Sequence, residues 1–398
     1  MKLLIKNVNI IDYKDNFFGD VYIEEGKITS IGKSIDKRCE IIDGKGYKLL
    51  PSFIDLHSHF RYPGYTYKED LYTGSKAAAK GGYTVVNLMA NTNPVCSNIK
   101  VLNTIRNKAK EISIIDINQC MSITEDIKGE NIDTLKEITR YDDIKFVSDD
   151  GKGVSDSKVM IEAMRVCKDK DITMISHAES QELSDIDMRL AENTMTWRDI
   201  VLSKFTGVKL HLAHVSTKES MKYVIEAKEE GANVTCEVTP HHIALTSKIN
   251  YRVNPPLREE EDRKFLIKAI KDGYVDAIAT DHAPHSKDDK EKGSSGLIGL
   301  ESAFNICYTT LVKEEGISIN KLSEIMSYNP ARIMGLNKGK ISIGFDADFV
   351  LVDTEKQCEI YEKDIISKSN NTPFIGFKGY GKILATIKGG KFIYKGDI

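Results

Sequence analysis

The stretch "PSFIDLHSHFRYPG", residues 51–64, sets His57 and His59 one residue apart at the end of an apolar run, with Asp55, Arg61 and Pro63 continuing the same odd-numbered row. Alternate side chains of an extended strand point the same way, so a strand here would put Asp55, His57 and His59 on one face. Two imidazoles on one face can bind one metal ion. Four other apolar runs end in ligands of the same kind: Asp150 in "VSDDG", His177 in "ISHA", His214 in "HLAH" and Asp281 in "ATDHAPH". Imidazole with carboxylate and no thiolate suits Zn²⁺, with Mn²⁺ or Co²⁺ as chemical substitutes. Six ligands exceed what one tetrahedral ion needs. Two ions roughly 3.5–4 Å apart, sharing a bridging carboxylate and a bridging hydroxide, would use them all. The bridging carboxylate must be central, and Asp150, at the end of the fourth apolar run, suits that place.

Each assignment has a plainer rival. An HxH pair occurs by chance on surface strands, and His177 alone could be a satisfied core histidine. His211 and His214 cannot both face inward on a strand, so one is structural and His214 is taken as the ligand. Asp149 stands beside Asp150 and could replace it as the bridge. His241-His242 after Pro240 could shape a loop, and "HAPH" could be a turn. What favours a site is the coincidence at five strand ends. All nine histidines lie between 57 and 285 in a few short stretches, with none in 1–56 or 286–398.

The elements that would carry these residues repeat one pattern. "KEDLYTGSKAAAKGG" leads into "YTVVNLMAN", "SKVMIEAMRVCKDKD" into "ITMISHA", "TKESMKYVIEAKEEG" into "ANVTCEVTPHH", and "EEDRKFLIKAIKDG" into "YVDAIATDHAPH". A helix, usually ended by Gly, followed by a buried apolar strand is the grammar of a parallel sheet. With "PSFIDLHSH", "ISIIDINQCMS", "DIKFVSDDG" and "VKLHLAH" there are about eight strands between 52 and 281, as in a (β/α)₈ TIM-type barrel, an α/β fold. Polar clusters end each run, and barrel sites form at the C-terminal ends of strands, so these ends would converge on one mouth. A doubly wound sheet would need a phosphate-binding Gly-rich turn, which is lacking. Residues 1–50 and 340–398 read instead as short alternating strands that would pair into a small β-sandwich domain, leaving 51–339 as the catalytic barrel.

Composition fits this picture. The chain has 398 residues, 41% hydrophobic and 29% charged, with 56 basic and 59 acidic side chains and a net charge of −3. That balance gives no electrostatic case for nucleic acid or an anionic membrane. No apolar run approaches a membrane span of about 20 residues. "MKLLIKNVNIIDYKDN" meets charge too early for a secretory h-region. Seven cysteines without CxxC pairing read as reduced thiols, and the expected location is cytoplasmic.

"DLHSHFRYPG", "MANTNPV", "VSDDG", "HVSTKES", "EVTPHH", "RVNPPLR", "IATDHAPH", "GLE" and "NTPF", in this order over nearly the whole chain, resemble the dihydroorotase family of the amidohydrolase superfamily. The likeness is to the bacterial type whose metals are bridged by Asp rather than a carboxylated Lys. It implies a two-zinc barrel enzyme. His57, His59, Asp150 and Asp281 match the ligands of one zinc, and Asp150, His177 and His214 those of the other. Arg61, Asn91, Asn254 and His285, with His59 and Gly296, match substrate-binding positions. Tyr62 stands where the family usually has Glu, Ala90 where it has Pro, and "SSG" at 294–296 where a Phe-Gly pair often contacts the pyrimidine.

The implied reaction is reversible ring closure of N-carbamoyl-L-aspartate to L-dihydroorotate in de novo pyrimidine (UMP) biosynthesis. A metal-bridged hydroxide attacks in the hydrolytic direction, and Asp281 carries the proton to the departing ring nitrogen. Arg61 would grip the substrate carboxylate through parallel hydrogen bonds, with Asn91 and His285 completing that pocket and Asn254 addressing the ring. "HSKDDKEKGSSG", 285–296, reads equally as a lid or a solvated loop. Two rivals remain: a hydantoinase or allantoinase, and a non-catalytic barrel subunit. The first typically bridges its metals with a carboxylated Lys, and Lys145 sits too early for that. A homo-oligomer and association with aspartate transcarbamoylase are the macromolecular partners left open.

Overall fold

The computed structural model describes residues 2–396. Five strands come first: β1 (Lys2–Ile11), β2 (Asn16–Glu24), β3 (Lys27–Gly32), β4 (Glu40–Asp43) and β5 (Lys48–Pro51). Eight more alternate with helices through the middle of the chain: β6 (Phe53–Ser58), β7 (Tyr83–Leu88), β8 (Asp116–Gln119), β9 (Phe146–Val147), β10 (Thr173–Ser176), β11 (Leu210–Leu212), β12 (Val234–Val238) and β13 (Ala277–Ile278). They pair in parallel as β6-β7-β8 and β9-β10-β11-β12-β13. Single bridges, Met121 to Val147 and Ser58 to His282, join the two sets at both seams. The eight parallel strands therefore close into a TIM barrel, as the helix–strand repeat predicts.

Local chemistry accounts for the repeat. The helix Leu71–Lys80 begins at Asp70, whose carboxylate accepts from the Tyr72 and Thr73 amides in a capping box. The helices Met188–Thr206 and Glu260–Asp272 end on Gly207 and Gly273 at φ 73° and 88°, a left-handed turn that glycine adopts at little cost. Each turn releases the chain into the next strand. Leu71, Leu102, Met160, Val224 and Leu266 on the helices share one buried cluster with strand residues such as Tyr83, Met174 and Leu210. The opposite strand faces, including Ile54, Val85, Phe146, Ile175 and Ala277, form a second cluster with Ala331 and Met334. These two packing surfaces fix the strand ends relative to one another.

β6 departs from simple alternation. Its register against β7 shifts between Phe53 and Ile54 and again between Asp55 and Ser58. Asp55 consequently turns to the Thr280 amide (2.8 Å) and hydroxyl (2.6 Å), away from the row it shares with His57 in the sequence.

Strands from both ends of the chain contribute to one sheet. Strands β14 (Phe349–Glu359), β15 (Lys378–Lys388) and β16 (Lys391–Lys395) join the first five. β5 pairs antiparallel with β14, so the hydrogen-bond path is one continuous eight-stranded sheet, β16-β15-β14-β5-β1-β2-β3 with β4 on β1. That sheet has its own core of Leu3, Ile5, Val21, Ile23, Phe349 and Leu351. The cysteines are all free thiols.

Candidate functional site

Asp150, just past β9, is the hub. Its Oδ1 lies 3.2 Å from His57 Nε2, 3.2 Å from His177 Nδ1 and 3.7 Å from His214 Nε2, and its Oδ2 lies 3.5 Å from His59 Nε2. Asp281, just past β13, faces the same pair, 3.6 Å from His57 Nε2 and 3.1 Å from His59 Nε2. His177 Nδ1 and His214 Nε2 are 2.9 Å apart. Six side chains from the ends of β6, β9, β10, β11 and β13 thus meet in one space. Two overlapping triads that share His57, His57-His59-Asp281 and His57-Asp150-His214, each bring their ligand atoms within 4.8 Å of one another, as a metal ion requires.

The donor set fits a metal. His57 Nε2 is fully buried, faces two carboxylates and has no hydrogen-bond partner. Burial opposes ionisation of Asp150, but His57, His177 and His214 hold its carboxyl well below the usual range. Asp281 behaves likewise: burial raises it, and His57 and His59 outweigh that, so it stands as a carboxylate. Buried carboxylates surrounded by imidazoles are metal ligands in kind.

The backbone is bent to make this cluster. His214, Asp281 and Arg61 adopt φ of 34°, 46° and 57°. Such conformations cost a side-chain-bearing residue about 1–3 kcal/mol and concentrate at functional sites. They turn the chain inward directly after β11, β13 and the HxH pair.

The neighbouring aspartates separate cleanly. Asp149 points away, accepting from the amides of Ile123 (2.7 Å) and Thr124 (3.1 Å) and from the Thr124 hydroxyl. His211 also turns elsewhere, its Nε2 3.0 Å from Glu237 Oε2, while His214 faces the cluster. His242 is bonded to Thr239 and the Pro255 carbonyl, which places it in the loop scaffold.

Around the cluster lie the residues matched to substrate positions. Arg61 is half-buried, with Nε 3.2 Å from the Pro284 carbonyl and Nη2 3.2 Å from His285 Nε2. Lys68 Nζ lies 3.4 Å from the other ring nitrogen of His285, Nδ1. Burial and then the Arg61 and Lys68 charges push His285 down to about 3, so its ring is neutral. Asn91 is engaged between two ligands, Oδ1 2.9 Å from His59 Nδ1 and Nδ2 3.2 Å from Asp150 Oδ2. Asn254 Nδ2 donates to Glu179 Oε2 at 2.7 Å, and that carboxylate lies 2.8 Å from His177 Nε2.

The loop at 285–296 is tied down. It contains the helix Lys287–Glu291, capped by Ser286, and Lys290 Nζ donates to the carbonyls of Arg252, Ser294 and Gly296, each at 2.9 Å. Gly296 sits at φ 124°, where a Cβ would come within 2.6 Å of Ala283 Cβ, and its amide donates to the Arg252 carbonyl. Asn371 of "NTPF" links this loop to the turn, accepting from the His285 amide and donating to the Ala283 and Gly296 carbonyls.

Sequence reading passed over Glu237 and Glu179. Glu237 is fully buried on β12, 2.9 Å from His57 Nδ1. An acidic residue inside the apolar run "VTCEV" was the available signal.

Comparison with known proteins identifies the family. Residues 49–393 match the amidohydrolase family. The chain is 54% identical to a dihydroorotase of Clostridium botulinum over 99% of its own length and 100% of that protein. It is 40% identical to a dihydroorotase of Elusimicrobium minutum, covering 98% and 97% of the two chains. Among solved structures, a dihydropyrimidinase from Brevibacillus agri superposes with a TM-score of 0.91 at 26% identity, over 99% of this chain and 95% of the other. The chain belongs to the amidohydrolase family and, within it, to the dihydroorotases.

Proposed function

We propose that this chain catalyses the reversible cyclisation of N-carbamoyl-L-aspartate to L-dihydroorotate in pyrimidine biosynthesis. The observation that carries the choice of substrate is Arg61. A guanidinium has five N–H donors, and two are spent on Pro284 and His285. The remaining ones suit a bidentate grip on a carboxylate, and Arg61 follows His59 by two residues and feels the charges of Asp281 and Asp150. Dihydroorotate carries such a carboxylate, whereas hydantoin and allantoin do not. The cationic Lys68 and neutral His285 favour the same anion.

Two zinc ions are the cofactor this reading calls for. His57, His59, Asp150 and Asp281 would hold one, and Asp150, His177 and His214 the other. When bound, the metals supply a nucleophile at neutral pH and polarise the scissile carbonyl. The protein's own steps follow from its side chains. Asp281 starts ionised, so it can take the proton of the attacking water and hand it to the ring nitrogen, which is a very poor leaving group without it. Arg61, His285 and Asn91 orient the substrate carboxylate, Asn254 addresses the ring, His59 borders both ligand cluster and substrate, and Gly296 shapes the loop against the pyrimidine.

The same reading takes 51–339 as the catalytic barrel and 1–50 with 340–398 as a small domain whose sheet curls into a sandwich. It makes the protein a cytoplasmic enzyme, and among the described residues no helix is long and apolar enough to cross a membrane. Self-association and docking with aspartate transcarbamoylase are compatible with it. Likeness to dihydropyrimidinase and hydantoinase structures at 21–26% identity reflects the shared barrel and does not select their substrates. Steady-state assays with dihydroorotate, hydantoin and allantoin test the proposal. Turnover of dihydroorotate is expected; turnover of either other compound without it would overturn the reading.

A further inference from the structure

We infer that Glu237 is a positioning residue for the metal centre, holding the His57 ring and the His214 backbone while His211 anchors its carboxylate. The inference rests on the reading of His57 and His214 as metal ligands.

The argument begins with burial. Glu237 sits on β12 between Cys236 and Val238, whose side chains pack toward the helices, so its own side chain enters the barrel. It is 0% exposed, as are His57 and His211. A carboxylate without water must be fully hydrogen-bonded to be tolerated. Glu237 meets that demand through both oxygens. Oε1 lies 2.9 Å from His57 Nδ1 and 3.4 Å from the His214 amide nitrogen, and Oε2 lies 3.0 Å from His211 Nε2. The far side of His211 is closed by Thr235, Nδ1 to Oγ1 at 2.8 Å.

The consequence for His57 is chemical as well as geometric. An ionised carboxylate only accepts, so the Nδ1 proton of His57 points to Glu237. Nε2 is then the ring nitrogen left facing the cluster, 3.2 Å from Asp150 and 3.6 Å from Asp281. Between two carboxylates it carries either a second proton or a metal cation, and only a deprotonated Nε2 can bind the metal. Glu237 therefore selects the tautomer and the ring orientation that metal binding needs, which is how carboxylates behind ligating histidines act in general. Its second contact lies at His214, whose left-handed φ of 34° is otherwise costly. One side chain thus steadies a ligand shared by both triads and the backbone of another ligand.

The test separates this role from plain structural support. Metal-free wild type, Glu237→Gln and Glu237→Ala are titrated with Co²⁺, following its visible absorption bands, with circular dichroism as the check on folding. Glu192→Gln is the control. Glu192 is another buried carboxylate, bonded to Ser216, Thr217 and Arg258 rather than to a cluster histidine. We expect folded Glu237→Gln to bind Co²⁺ about 10–100-fold more weakly with an altered spectrum. Glu192→Gln should lower the unfolding midpoint and leave the titration unchanged. Wild-type affinity and spectrum in Glu237→Gln would overturn the inference. Failure of both Glu237 variants to fold would assign the residue to the fold and overturn it equally. Absence of Co²⁺ binding by wild type would instead remove the metal reading itself.

Discussion

Asp149 and Asp150 are adjacent, both nearly inaccessible, and fated to different phenotypes. Replacing Asp149 with Ala strands two buried amides, Ile123 and Thr124, and the Thr124 hydroxyl. An unsatisfied buried donor costs about 1–3 kcal/mol, so the two amides alone amount to about 2–6 kcal/mol. That is a large share of a stability of about 5–15 kcal/mol. Replacing Asp150 with Ala strands no backbone amide, only the Asn91 side-chain Nδ2; it removes the one carboxylate within 3.7 Å of all four cluster histidines. The assay is urea unfolding of the chelator-treated proteins together with zinc content after reloading. Asp149→Ala should lose stability by the amount above and, while folded, still take up zinc. Asp150→Ala breaks a buried network of imidazoles around one carboxylate and should lose stability as well, but unlike Asp149→Ala it should retain less than one zinc per chain while folded. The reasoning is refuted if Asp149→Ala loses zinc at wild-type stability, or if Asp150→Ala keeps two ions.

Arg61→Met should lower kcat/KM for dihydroorotate roughly a hundredfold, since two charge-assisted hydrogen bonds are worth about 3 kcal/mol together; zinc content should not change, and a small effect would remove Arg61 from substrate binding. Asp281→Asn should lose nearly all turnover while retaining at least one zinc, read by steady-state rates and metal analysis, and unchanged turnover would end its assignment as proton carrier. Gly296→Ala forces a Cβ to 2.6 Å from Ala283 at φ 124°. It should destabilise the chain by about 1–3 kcal/mol in urea, and equal stability would show that the loop relaxes freely.

The barrel was legible because its grammar is local. Asp70 opens a helix, Gly207 and Gly273 close two others, and the apolar runs between them are strands by composition. Even β9 and β13, two residues long, were marked by the polar clusters that follow them. What escaped depends on register and on distant partners. Odd-row alternation in β6 would bring Asp55 to the metal side, but two register shifts hand it to Thr280. The choice between Asp149 and Asp150 turns on the Thr124 loop, which no local pattern near 150 reveals. Glu237 looked like one polar residue in a strand until its partners, His57 and His211, came from other strands. The π-helical turns Tyr308–Glu314 and Glu324–Tyr328 have no period that sequence reasoning looks for. At the chain ends, alternation gave the strands, while the single bonded sheet depends on β5 pairing with β14 across nearly 300 residues of sequence.

The account stands on six side chains gathering metal around Asp150. Crystals of the zinc-loaded protein, with diffraction recorded at the zinc absorption edge, examine that directly. Two anomalous peaks are expected, each about 2.0–2.2 Å from a carboxylate oxygen of Asp150 and from a histidine nitrogen. Zinc found away from Asp150, or no peak between His57 and His214, would contradict it.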